Sequence, residues 1–237
     1  MVVVFGRPGA GKTTVADCAM EQLRLEQPQP QPQKRAGNSS TSTSTSTTTS
    51  TSTGTLRMVP VGLDLDVCVP QWMRDNFAMG IYPTTEQRQA FACECCDYVD
   101  QRLWQASQDS TTDNRSSSCQ AVPVAGVVSF SFVNTDLREV FRSRFPKATW
   151  ILIDTTEMES KRRLEQREGH FYKGKLSDEP AEEQVAVESP PTASKQDNSD
   201  WDFAPVTFDH VVLDGDAPLE SNGAKVAKIL TRGLDLN

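Results

Sequence analysis

Residues 6–13 read GRPGAGKT: Gly6 and Gly11 with four residues between them, followed at once by Lys12 and Thr13, the pattern G-x-x-x-x-G-K-[ST]. The run directly follows an apolar, β-branched stretch, VVVF, and opens a segment with apolar residues at helical spacing. A strand, a glycine loop and a helix N-terminus in that order constrain the fold more than any other feature of the chain. The glycines let successive backbone N–H groups converge on one concavity, and the helix terminus adds positive potential there. The Lys12 ammonium can reach the outer phosphates of a nucleotide held in that cradle, and the Thr13 hydroxyl is suited to Mg²⁺. The loop candidates are therefore Gly6, Gly9, Ala10, Gly11, Lys12, Thr13 and Thr14.

The rest of the chain repeats this alternation. Short apolar runs at 2–5, 58–65, 125–132, 150–154 and 210–213 are separated by helical patterns at 12–25, 85–106, 135–144, 157–168 and 222–231. Continuous rather than alternating apolar runs suit strands covered on both faces. The expected fold is α/β: a doubly wound five-stranded parallel sheet sandwiched by helices, formed by one domain over residues 1–237. Two tracts lie outside this pattern. A Gln/Pro- and Ser/Thr-rich insertion over 27–57 and an acidic, Pro-containing one over 177–200 lack regularly spaced large apolar side chains. Both are expected to be disordered, which accounts for an apolar share of only 37% in 237 residues.

Composition narrows the function classes. A net charge of −8 without a long basic block argues against nucleic-acid partners. No apolar run is long enough to span a bilayer, and the amino-terminal apolar residues run straight into the glycine loop, unlike a secretory leader. A cytoplasmic location with reduced thiols is expected, and Cys93, Cys95 and Cys96 are read as helix packing in preference to a zinc site. Trp72, Trp104, Trp150 and Trp201 are also read as packing.

The second apolar run ends in Asp64-Leu65-Asp66. Ligands gather at the carboxyl ends of parallel strands, and residues two apart on an extended segment point the same way, so both carboxylates are expected to face the glycine loop. One could serve a metal ion while the other accepts a proton from a hydroxyl. Arg163 and Arg167, four apart on a helical pattern, can point together into a cleft, as can Arg138 and Arg142.

Taken together, these motifs resemble the gluconokinase-type members of the shikimate kinase-like P-loop kinases. Asp64 and Asp66 match that family's D-x-D, Met79–Pro83 its M-x-x-G-x-P piece with altered spacing, and Arg88 its following arginine. Arg138, Glu139 and Arg142 match the second half of its acceptor helix, with Asn134-Thr135 where the family has Lys-Arg. The run RLEQREGHF, from Arg163 to Phe171, follows the entrance to its lid. The resemblance implies a P-loop NTPase fold of the nucleoside and shikimate kinase type and transfer of the γ-phosphoryl of ATP to a hydroxyl of a polar metabolite, with a sugar acid preferred. It implies Lys12, Asp66 and Arg167 as catalytic residues and Arg163 on the nucleotide. Asp66, Arg88, Arg138 and His170 would bind the acceptor, Thr13 and Asp64 the Mg²⁺, and the protein would be a monomer or homodimer. A kinase with a shikimate-like or nucleoside acceptor, and a nucleotide-binding module without chemistry, remain alternatives.

Overall fold

The computed structural model describes residues 1–26, 58–112, 123–167 and 203–233. The two insertions expected over 27–57 and 177–200 lie outside these residues, as do His170 and Trp201. The described chain runs β1 (Val2–Phe5), α1 (Lys12–Glu26), β2 (Val59–Asp64), a 3₁₀ turn (Leu65–Cys68), α2 (Gln71–Ala78), α3 (Thr85–Thr112), β3 (Val124–Phe130), α4 (Thr135–Arg144), β4 (Thr149–Asp154), α5 (Glu157–Glu165), β5 (Val211–Asp214) and α6 (Leu219–Arg232). The five strands form one parallel sheet in the order β2-β3-β1-β4-β5. β1 is therefore central, and the chain departs from it to both sides, which opens a crevice at the carboxyl ends of β1 and β3. Among the described residues, no helix is long and apolar enough to cross a membrane.

Side chains alternate across the central strand. Val2 and Val4 point into a layer with Ala16, Ala19, Leu23, Val226 and Leu230 from α1 and α6. Val3 and Phe5 point the other way, into a layer with Phe91, Val99, Leu137, Phe141 and Trp150. Burying each such side chain contributes about 1.5–3 kcal/mol, so neither face of β1 tolerates a polar residue. The second layer is aromatic: Trp150 packs edge-on against Phe5 at 5.3 Å, Phe132 at 5.1 Å and Phe208 at 5.1 Å.

Several expectations change in detail. The segment before α3 holds an additional short helix, α2, with Met73 as its buried residue. The edge strand β5 leaves Val211 and Val212 partly exposed, unlike the central strands. Trp150 packs in the core, but Trp72 and Trp104 are exposed, at 43% and 63%, and do not pack as expected. Cys95 and Cys96 are buried in the aromatic layer whereas Cys93 is exposed, so the three thiols do not share one face.

Candidate active site

The glycine loop adopts backbone that side chains would obstruct. Gly9 has φ +83°, and a Cβ there would lie 2.5 Å from the Ser160 carbonyl of α5. Gly6 has φ +154°, and its Cβ would lie 2.6 Å from the Ile153 carbonyl of β4. The loop thus fits against β4 and α5 because it has no side chains at these positions. Ala10 has its methyl in the α1–α6 core and donates its N–H to the Arg7 carbonyl at 3.1 Å. Of the expected loop residues, Gly9, Gly11, Lys12, Thr13 and Thr14 line a cavity of about 250 Å³, and Gly6 and Ala10 are not part of its lining.

Register brings the acids to the same level. Ser129 of β3 pairs with Val4 on one side and Asp64 on the other, so β2 ends level with the start of the loop. Thr13 Oγ1 donates to Asp64 Oδ2 at 3.1 Å. Asp64 and Asp66 do not sit side by side on an extended strand as expected. The chain turns at Leu65 into the 3₁₀ turn, and Asp64 Oδ1 caps it by accepting the Asp66 N–H at 3.0 Å. Both acids nevertheless line the cavity, with different surroundings. Burial pushes the Asp64 carboxyl above its ordinary value, opposed by the Asp66 amide, the Thr13 hydroxyl and Lys12. Arg74 of α2, which the sequence pattern did not single out, straps the turn: it donates to the Asp66 carbonyl at 2.6 Å and the Val69 carbonyl at 2.9 Å.

Lys12 is only 8% exposed, and its Nζ donates to the Arg7 carbonyl at 2.8 Å. Burial lowers its pKa to about 8; Asp66 and Asp64 work against the shift and Arg167 adds to it. Both lid arginines line the cavity. Arg163, on α5, donates to Glu159 at 2.7 Å and to Asp216 at 3.0 Å, tying the helix to the loop after β5. The hydrogen bonds from Arg162 and Arg163 hold the Glu159 carboxyl down at about 2. Arg167 lies just past the end of α5 and reaches the same cavity.

On the opposite side, Arg88 of α3 lines the cavity and is 5% exposed. Its Nε donates to Asp136 of α4 at 2.7 Å, and its Nη atoms to the Pro83 carbonyl and the Thr85 hydroxyl. Arg138 is not brought to the cavity. It is 1% exposed, donates to the carbonyls of Phe132, Val133, Ala204 and Pro205, and stacks over Phe203 at 4.5 Å. Burial lowers its pKa to about 10. Its place is structural: it fastens the 203–205 segment to the loop after β3. Arg142 likewise stacks on Phe208, at 4.3 Å. His170, expected on the acceptor, lies outside the described residues.

A glycine loop on the central strand of a 2-3-1-4-5 parallel sheet, facing acids from the end of β2 across the intervening β3, defines the P-loop kinase type of fold. No family model and no curated protein matches the chain. Among solved structures, it is similar to a sugar kinase from Janibacter sp. HTCC2649 with a TM-score of 0.56 and 18% identity over 97% of this chain and 93% of that one. A gluconokinase from Sinorhizobium meliloti 1021 aligns with a TM-score of 0.47 and 16% identity, covering 98% and 95% of the two chains. The Mycobacterium tuberculosis APS kinase in complex with AMPPNP and APS aligns with a TM-score of 0.47 and 12% identity, covering 97% of each. At these identities the likeness is one of fold.

Proposed function

We propose that the chain is an ATP-dependent small-molecule kinase that transfers a γ-phosphoryl group to a hydroxyl. The observation that carries this reading is one cavity lined by Lys12 and Thr13 from the loop and helix after β1 and by Asp66 and Arg88 from the turn after β2 and from α3. A phosphate cradle alone serves switches and motors equally well; an acid and a buried arginine facing it supply a place for a second substrate. The Thr13 hydroxyl and Asp64 carboxylate are hard oxygen donors in mutual contact, and they suit Mg²⁺, which takes one or two protein oxygens and completes its shell with phosphates and water. Bound there, Mg²⁺ supplies charge neutralisation on the outer phosphates.

The residues then divide the work. The loop amides and Lys12 hold the phosphates, with Nζ exchanging the Arg7 carbonyl for a phosphate oxygen. Asp66 orients the acceptor hydroxyl and takes its proton as the new oxygen–phosphorus bond forms and the bond to the ADP oxygen breaks. Arg163 and Arg167 stabilise charge on the transferring group and exclude water. The sequence resemblance supports a sugar acid as acceptor, whereas the cavity wall supports a different body, argued below. The test is coupled ADP release with Mg-ATP across a panel of alcohols. Release above the acceptor-free rate with any member supports transfer; tight Mg-ATP binding with no release for every member would make the chain a nucleotide-binding module.

A further inference from the structure

We infer that the acceptor is an uncharged alcohol whose hydroxyl is carried on an apolar ring, and not a polyhydroxylated acid. This rests on the kinase reading and concerns the half of the cavity beyond Asp66. Its wall is Met73 and Phe77 of α2, Phe91 of α3, Phe130 at the end of β3, Val133, and Leu137 of α4. Met73, Phe91, Val133 and Leu137 are each at most 5% exposed. Phe91 and Phe130 lie 5.7 Å apart with their planes tilted by 51°, and Phe132 braces Phe130 edge-on at 5.3 Å. These are fixed apolar surfaces of the kind that receive a flat ring.

Charge and hydrogen bonding among the described residues weigh against the other class. Among the described residues lining this half, Arg88 is the one cation, and Asp136 already neutralises it at 2.7 Å in a pair whose side chains are 6% and 15% exposed. An acceptor carboxylate would compete with Asp136 for that buried guanidinium while facing Asp66. The other lining cations, Lys12, Arg163 and Arg167, come from the glycine loop and from α5 and its end, and on the kinase reading they serve the phosphates. Among the described residues, the polar lining that adjoins this wall besides Arg88 is Asp66 and Ser131, enough for one reacting hydroxyl and one further contact. Each additional hydroxyl buried without a partner would weaken binding roughly tenfold or more.

The test uses the full chain with two sets of probes: benzyl alcohol, 2-phenylethanol and a thiazole alcohol against gluconate and shikimate. Mg-ATP binding is first verified by calorimetry, so that failure of the kinase reading shows separately. Coupled ADP release then compares kcat/KM, and saturation-transfer NMR with a non-hydrolysable ATP analogue compares binding without turnover. We expect the neutral ring alcohols to be favoured by about tenfold or more. Phe77→Asn, on the half-buried rim of the wall, should raise their KM by about tenfold with KM for ATP unchanged. Preference for gluconate or shikimate overturns the inference and leaves the kinase reading intact. Absence of both turnover and NMR contact for every ring alcohol also overturns it, as does indifference of their KM to Phe77→Asn.

Discussion

The two halves of the cavity are built in different ways. The phosphate half is framed by one contiguous stretch, Pro8 to Thr14, with Arg163 and Arg167 facing it, and on the kinase reading its work falls to backbone N–H groups and these cations. The acceptor half is assembled from the 3₁₀ turn, three helices and the end of β3, and its function lies in which side chains those elements happen to bring together. The first half is rigid in its requirements, because Gly9 and Gly6 leave no space for a Cβ. The second is variable, because an apolar wall can be rebuilt from other side chains without disturbing the sheet. On the kinase reading, phosphate binding thus falls to the contiguous half, and the choice of acceptor, together with the base Asp66, to the assembled one.

If that division holds, damage to the two halves should read out differently. Lys12→Ala should lower kcat by about 10³-fold or more. Because Lys12 is a buried, desolvated amine, the variant should melt no lower than the parent; unchanged ADP release would break the division outright. Asp66→Asn should lower kcat by about 10²–10⁴-fold with KM for ATP within a few-fold. A change confined to ATP affinity would move Asp66 into the phosphate half. Arg138→Ala removes the side-chain donor to the carbonyls of Phe132, Ala204 and Pro205, Val133 keeping the Ala204 N–H, and should destabilise by about 2–4 kcal/mol in urea unfolding, with acceptor KM unchanged in the folded fraction. A selective rise in acceptor KM would return Arg138 to the acceptor half.

A smaller effect follows from Lys12 itself. Its pKa is about 8 in the folded chain against 10.5 ordinarily. Between those values the unfolded chain binds the extra proton, so this group's contribution to stability increases as pH rises through that window. Below pH 8 it is charged in both states and its destabilising effect is fully present. Phosphates favour the ammonium, so Mg-ATP binding should take up a proton above pH 8 and weaken by up to about tenfold per pH unit from there towards 10. Calorimetry at pH 7 and 9 in buffers of different ionisation enthalpy measures both; equal proton uptake at the two values would contradict the assignment.

The sheet and the phosphate cradle were legible in the sequence because both leave local marks: continuous β-branched runs, and glycines where the backbone admits nothing else. The D-x-D motif located two acids correctly but not their geometry, since the turn at Leu65 depends on Asp64 capping the Asp66 amide. Helix α2 carries one buried residue in eight, too little periodicity to stand out, although Pro70 before it and Gly80 after it mark its ends. Arg138 was misplaced for a different reason. Spacing shows that two arginines share a helix face but not whether that face meets a cavity or, as here, Phe203 and a row of carbonyls. The apolar acceptor wall was invisible because its residues come from separate elements and meet only in the fold.

The most direct measurement is calorimetric titration of the purified chain with Mg-ATP, beside the same titration of Lys12→Ala. The account predicts saturable one-to-one binding by the parent and at least about tenfold weaker binding by the variant. No heat of association with the folded parent, or equal affinity in the two proteins, would contradict the claim that this loop grips a nucleotide's phosphates.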